Sequence, residues 1–106
     1  MRNLSPVELQ KYLQDCQTAP LLLDVREEWE FEICHLEGSS LMPTGQIVKL
    51  ASTLEPARET VVICHHGIRS VQVCAYLEQL GFTQLINLSG GVAAWARDVD
   101  PSMPTY

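Results

Sequence analysis

Thr60-Val61-Val62-Ile63-Cys64-His65-His66-Gly67-Ile68-Arg69-Ser70-Val71 is the stretch from which the rest of the chain can be read. Its first four residues are β-branched throughout and show no polar alternation. That is the pattern of a strand buried on both faces, as in a parallel sheet. Ser70 to Leu80 then carries an inward stripe at helical spacing, Val73, Cys74, Leu77 and Leu80, and Gly81 stops it. Between strand and helix lie a cysteine and a tight loop holding one glycine.

Upstream, Pro20 precedes a second continuous apolar run, Leu21 to Val25. Ser39 to Met42 reads as a weaker strand ended by Pro43, and Gln84 to Asn87 as a further strand. Ser5-Pro6-Val7-Glu8 is a capping box with proline at the first helical position. The helix it opens runs to about Asp15, with Leu9, Tyr12 and Leu13 on its apolar side. Glu27 to Glu32 is a short acidic helix carrying Trp29 and Phe31. Gln46 to Leu54 is helical by the spacing of Ile47, Leu50, Ala51 and Leu54. Gly90 and Gly91 turn into a short helix holding Trp95, and residues 98–106, with two prolines, are expected to be irregular. Strands alternating with helices imply an α/β fold with a mainly parallel sheet. Such folds bind ligands beyond the carboxyl ends of their strands. Here those ends fall at Asp24-Val25-Arg26 and at Cys64.

The 106 residues suffice for one domain, 1–106, and 46% of them are apolar, enough for a core that needs no disulfide or metal staple. A net charge of −6 argues against nucleic acid or an anionic membrane as partner, since both attract basic proteins. It leaves room for a small anionic substrate at a local positive site. No apolar run approaches membrane-spanning length, and Met1 to Pro6 lacks the apolar stretch of a signal peptide, so a cytoplasmic protein is expected. There Cys16, Cys34, Cys64 and Cys74 should be thiols.

Several effects converge on Cys64. The amides of the loop and the free amides of the new helix can point into one cup, an anion nest. The helix dipole adds partial positive charge, and His65, His66 and Arg69 add more. All favour thiolate over thiol, and the thiolate is the form that attacks a sulfur donor. Gly67 fits a position needing positive φ or close backbone approach. The alternatives are an inert buried thiol and a metal site. Cys64, His65 and His66 are all ligand types, but adjacent positions make a poor tetrahedral set, so neither metal nor cofactor is expected.

Cys64-x-x-Gly67-x-Arg69-Ser70 resembles the active-site loop of rhodanese domains. Asp24-Val25-Arg26, Glu30-Phe31 and His35-Leu36-Glu37-Gly38-Ser39 resemble the N-terminal signature of that family. Leu88 to Trp95 resembles its C-terminal one. The resemblance implies a five-stranded, mainly parallel sheet with helices on both faces. It implies transfer of sulfane sulfur from a donor such as thiosulfate to cyanide or a protein thiol, through a Cys64 persulfide. His65, His66, Gly67, Ile68, Arg69 and Ser70 would then cradle the substrate, mostly through main-chain amides. Partners would be a small anionic sulfur donor and a protein thiol or persulfide.

Cys34 departs from the family, which often has glycine before the histidine, and is read as a tolerated small residue rather than a second redox thiol. Asp24 is read as an ion-pair partner for Arg26 or Arg69, and His35 as a hydrogen-bonding structural residue. Arg69 stands evenly between binding substrate and pairing with a carboxylate. Trp29 and Trp95 are assigned to core or lid packing, and Gly90 and Gly91 to the turn. Two rival functions remain. One is a phosphatase or arsenate reductase, whose loops place five residues between cysteine and arginine where His65 to Ile68 supply four. The other is a non-enzymatic regulatory or redox-sensing binding module.

Overall fold

β4 (Thr60–Ile63) is the middle strand of one five-stranded sheet. The computed structural model describes residues 1–106 and orders the strands β1 (Arg2–Leu4), β5 (Leu85–Leu88), β4, β2 (Leu21–Asp24) and β3 (Ser40–Leu41). Every pairing is parallel. β4 is fully flanked, with Leu23 opposite Val62 on one side and Asn87 opposite Val62 on the other. This explains its unbroken apolar sequence: Val61, Val62 and Ile63 have no exposed face. Each such side chain contributes about 1.5–3 kcal/mol by leaving water.

Successive residues of each strand serve opposite cores. Leu22, Val61, Ile63, Ile86 and Leu88 pack with Leu9 of α1 (Pro6–Asp15) and Val92 of α5 (Gly91–Asp98). Leu23, Val62 and Leu85 pack with Ile47 of α3 (Thr44–Leu50) and with Val73, Cys74 and Leu77 of α4 (Arg69–Gln79). Helices therefore cover both faces, as the family resemblance implied. α1 opens on the expected capping box, the Ser5 hydroxyl accepting from the Glu8 amide and the Glu8 carboxylate from the Ser5 amide. α2 (Glu28–Ile33) follows β2. No helix is long and apolar enough to cross a membrane.

Four local readings need correction. β1 was not expected: its three residues carry no apolar pattern, and the strand exists because β5 offers a free edge. The predicted helix over 46–54 starts earlier, at Thr44, and tightens into a 3-10 turn over Ala51–Thr53. Leu80 does not belong to the inward stripe. It is the C-cap of α4 and 46% exposed, because Gly81 at φ +95° turns the chain before another buried position is reached. Trp29 is 58% exposed, which removes the core half of its core-or-lid reading.

Candidate active site

Cys64 follows β4 where the sheet ends. The Val25 amide donates to the Ile63 carbonyl at 2.9 Å, so the backbones of β2 and β4 stay paired up to that point. The side chain is turned to the α4 face and is only 1% exposed. Gly67, two residues before the first residue of α4, donates its amide to Cys64 Sγ at 3.0 Å. The first turn of α4, with its partial positive charge, is beside the same sulfur, since the hydroxyl of its second residue, Ser70, lies 3.2 Å away. Thus backbone dipole and sulfur do meet, but the cup is narrower than expected: of the loop amides, Gly67's alone bonds Sγ.

The remaining partner of Sγ is a side chain. Cys64 Sγ lies 3.2 Å from the Ser70 hydroxyl, which in turn donates to Asn87 Oδ1. Asn87 Nδ2 donates to Asn3 Oδ1 at 3.0 Å. Asn3 and Asn87 sit opposite each other in the β1–β5 register, which turns both side chains to the α4 face. Sequence reading missed Asn87, because nothing local distinguishes a buried strand asparagine from a surface one.

Two glycines hold the loop against α5. The amides of Val92 and Ala93 donate to the carbonyls of Cys64 (2.8 Å) and His65 (3.0 Å). The first turn of α5 thus satisfies its free donors on the loop after β4. A Cβ at Gly91, where φ is +61°, would lie 2.4 Å from both carbonyl oxygens. Gly67 has φ +89°, and a Cβ there would lie 2.9 Å from the Gly90 nitrogen. Gly67 therefore meets both expected needs, positive φ and close approach. Gly91 does more than turn the chain.

The charges near the loop are largely paired. Arg69 Nη1 and Nη2 each donate to a Glu30 carboxylate oxygen at 2.8 Å. Glu30 is held down at about 2 by that pair, against the cost of its burial. Of the two readings of Arg69, the carboxylate pairing is the one the structure shows. Burial, followed by the neighbouring His66, lowers the pKa of His65, so this ring adds little positive charge. Neither His65 nor Arg69 makes a hydrogen bond to Cys64 Sγ, whereas the Gly67 amide does.

Asp24 and Arg26 form a buried ion pair, Nη2 to Oδ2 at 2.8 Å and Nε to Oδ1 at 2.9 Å. Arg26 also donates to the Cys34 carbonyl (2.6 Å), tying the end of α2 to β2. Burial opposes the Arg26 charge, and the bonds to Asp24 and Tyr106 more than offset it, so its pKa rises. Tyr106 was not singled out by sequence reading. Its hydroxyl accepts from Arg26 Nη1 (2.8 Å) and donates to Glu30 Oε1 (2.9 Å). Its ring stacks on His65 with centroids 4.0 Å apart and meets the edge of Trp29 at 5.6 Å. Asp98 still belongs to α5 and residues 99–106 carry no helix or strand, but they are not idle.

Of the predicted site residues, Cys64, Gly67 and Ser70 come together around the sulfur. His65 lies under Tyr106 and His66 beside His65 (4.0 Å between centroids). Ile68, the N-cap of α4, is 70% exposed, and Arg69 is engaged by Glu30. A cavity of about 110 Å³ opens between the two histidines, Cys34, Ala93, Ala96 and Tyr106. Cys34 packs in the cluster on the sheet face opposite Cys64. Cys74 is pushed up to about 12 by burial, as befits a packing thiol. His35 Nδ1 lies 2.8 Å from the Phe31 carbonyl, the structural bond expected of it.

Residues 5–98 match the family model described as the rhodanese-like domain. The chain is 37% identical to the Rhodanese-like/PpiC domain-containing protein 12, chloroplastic, of Arabidopsis thaliana, over all of this chain and 38% of that protein. It is 38% identical to a protein of Allochromatium vinosum named sulfurtransferase, over 73% of this chain and 72% of the other. The crystal structure of a rhodanese-related protein from Thermoplasma volcanium superposes with a TM-score of 0.83 at 27% identity, covering 93% of this chain and 94% of that one. The chain thus spans well under half of the Arabidopsis relative. With the sheet order, the cysteine loop and these matches in agreement, the chain belongs to the rhodanese-like domain family.

Proposed function

We propose that this chain is a sulfurtransferase in which Cys64 carries sulfur as a persulfide. The observation that carries the reading is the Gly67 amide directed at Cys64 Sγ, 3.0 Å away, at the positive end of α4. A sulfur anion is stabilised there in both states that the cycle needs, thiolate and persulfide. The Cys64 thiolate attacks the outer sulfur of a donor such as thiosulfate. A bond from Sγ to that sulfur forms, the donor's S–S bond breaks, and sulfite leaves with the bonding pair. An acceptor, cyanide or a protein thiolate, then attacks the terminal sulfur and the electron pair returns to Cys64. Relatives named sulfurtransferase support the class of reaction. We propose a reducing compartment, with the cytosol as the first expectation.

The phosphatase alternative fits less well. An oxyanion-binding arginine must be free, and both Nη atoms of Arg69 are occupied by Glu30.

Intact mass after incubation with thiosulfate tests the proposal. The expected result is a gain of one sulfur atom, lost on adding cyanide with release of thiocyanate. Cys64→Ser should abolish both. Full activity in Cys64→Ser would remove the reading.

A further inference from the structure

We propose that Asn87 is a positioning residue which, through Ser70, gives Cys64 a hydrogen-bond chain of reversible polarity. The chain would serve the sulfur both as thiol and as anion. This rests on Cys64 being the nucleophile proposed above.

Cys64, Ser70 and Asn87 are all buried, so water does not solvate the sulfur side of this chain. A serine hydroxyl has one proton to donate. In the structure that proton goes to Asn87 Oδ1, so Ser70 can only accept from Cys64, and the arrangement fits a neutral S–H. A thiolate or persulfide has no proton to give. Left unchanged, the chain would set the lone pairs of Ser70 against a buried anion, which is costly.

The amide at position 87 offers a way out. Its oxygen and nitrogen ends have nearly the same shape, and a half-turn of the amide exchanges acceptor for donor. After the turn, Asn87 Nδ2 donates to Ser70, and the Ser70 proton swings to the sulfur. Asn87 Oδ1 then needs a donor, and its cross-strand neighbour Asn3 supplies one by the same half-turn. Asn3 is exposed, so water serves its other groups. No element of the fold has to move. Aspartate at position 87 could only accept and leucine could do neither, so the residue type matters.

The titratable groups around Cys64 are His65 and His66 in the loop, Arg69 and Cys74 of α4, Glu30 of α2, and the Asp24–Arg26 pair beside β4. All of them stay constant in the comparison. The test follows iodoacetamide alkylation of Cys64, read by peptide mass spectrometry, across pH. In Asn87→Asp the carboxylate fixes the Ser70 proton, and alkylation at neutral pH should fall about tenfold, as if the profile moved up by one pH unit. In Asn87→Leu the Ser70 proton is free to turn, and alkylation should be as fast as in the wild type or faster. In a Ser70→Ala background the two variants should become alike. Equal slowing by Asp and Leu would overturn the proposal, as would a difference that survives Ser70→Ala, since that would be a field effect of the added charge.

Should either variant fail to fold, the 15N side-chain signal of Asn87 in the unsubstituted protein decides. It should move with pH in step with Cys64 alkylation and stay still in Cys64→Ser; a static signal in both overturns the proposal. None of these readouts involves sulfur transfer. A protein that shows the relay but takes no sulfur from thiosulfate would count against the proposed activity alone.

Discussion

Glu30 holds Arg69 by two parallel bonds of 2.8 Å, and the same carboxylate accepts the Tyr106 hydroxyl and the Glu27 amide. The carboxyl is held at about 2 in the fold, against an ordinary value of 4.5. Its contribution is therefore complete above about pH 4.5 and is lost as the pH falls towards 2. Arg69 is about one-third exposed, and solvent screening there limits the contribution to about 1–2 kcal/mol. Glu30→Gln should destabilise the protein at pH 7, and the gap from wild type should close on acidification. Urea unfolding at pH 7, 5 and 3 measures it; a gap independent of pH would refute the assignment.

Arg69→Ala should act in the same way, on stability more than on substrate. With its guanidinium engaged by Glu30, its loss should leave the apparent KM for thiosulfate nearly unchanged. A large rise in KM at constant kcat would instead show that Arg69 leaves Glu30 to bind the donor.

Gly91→Ala should be severe. The added Cβ would fall 2.4 Å from two carbonyl oxygens at a positive φ, so the loop or α5 must shift. A loss of at least about 2–3 kcal/mol is expected, with slower sulfur loading. Gly81→Ala is the control: φ is +95° but nothing lies within 4 Å. It should cost about 1 kcal/mol and spare loading. Chemical denaturation and intact mass compare the two.

Tyr106→Ala should expose the loop. Reaching a sulfur that is 1% exposed requires neighbouring groups to move, and Tyr106 is held by two hydrogen bonds and one ring stack. Alkylation of Cys64 should quicken in Tyr106→Ala and less so in Tyr106→Phe, which keeps the ring on His65. Unchanged rates would mean that access lies elsewhere.

Cys34→Ser should retain sulfur loading. Cys34 and Cys64 belong to cores on opposite faces of the sheet, so mild peroxide should produce no crosslink between them. Peptide mapping after oxidation checks this; a Cys34–Cys64 disulfide would restore the redox reading of Cys34.

What could be read in the sequence was the local physics. A continuous apolar run revealed β2 and a β-branched one β4, helical spacing revealed α4, and the loop between β4 and α4 located Cys64. Arg2-Asn3-Leu4 stayed hidden because an edge strand with one buried residue has no pattern until β5 is beside it. Glu30 and Arg69 are 39 residues apart, and Tyr106 is 76 from Glu30. Pairings of that kind depend on how the chain folds back, and neither residue type nor spacing announces them. Asn87 was hidden for the same reason: its partners come from a helix and from the strand before it in space, not in sequence.

The two amides that α5 lends to Cys64 and His65 also bear on biosynthesis. On a growing chain the cysteine leaves the ribosome well before the segment that fastens its loop. A nascent protein halted short of Val92 would carry Cys64 without its mould, so any reactivity of that thiol should switch on only once Val92 and Ala93 have emerged.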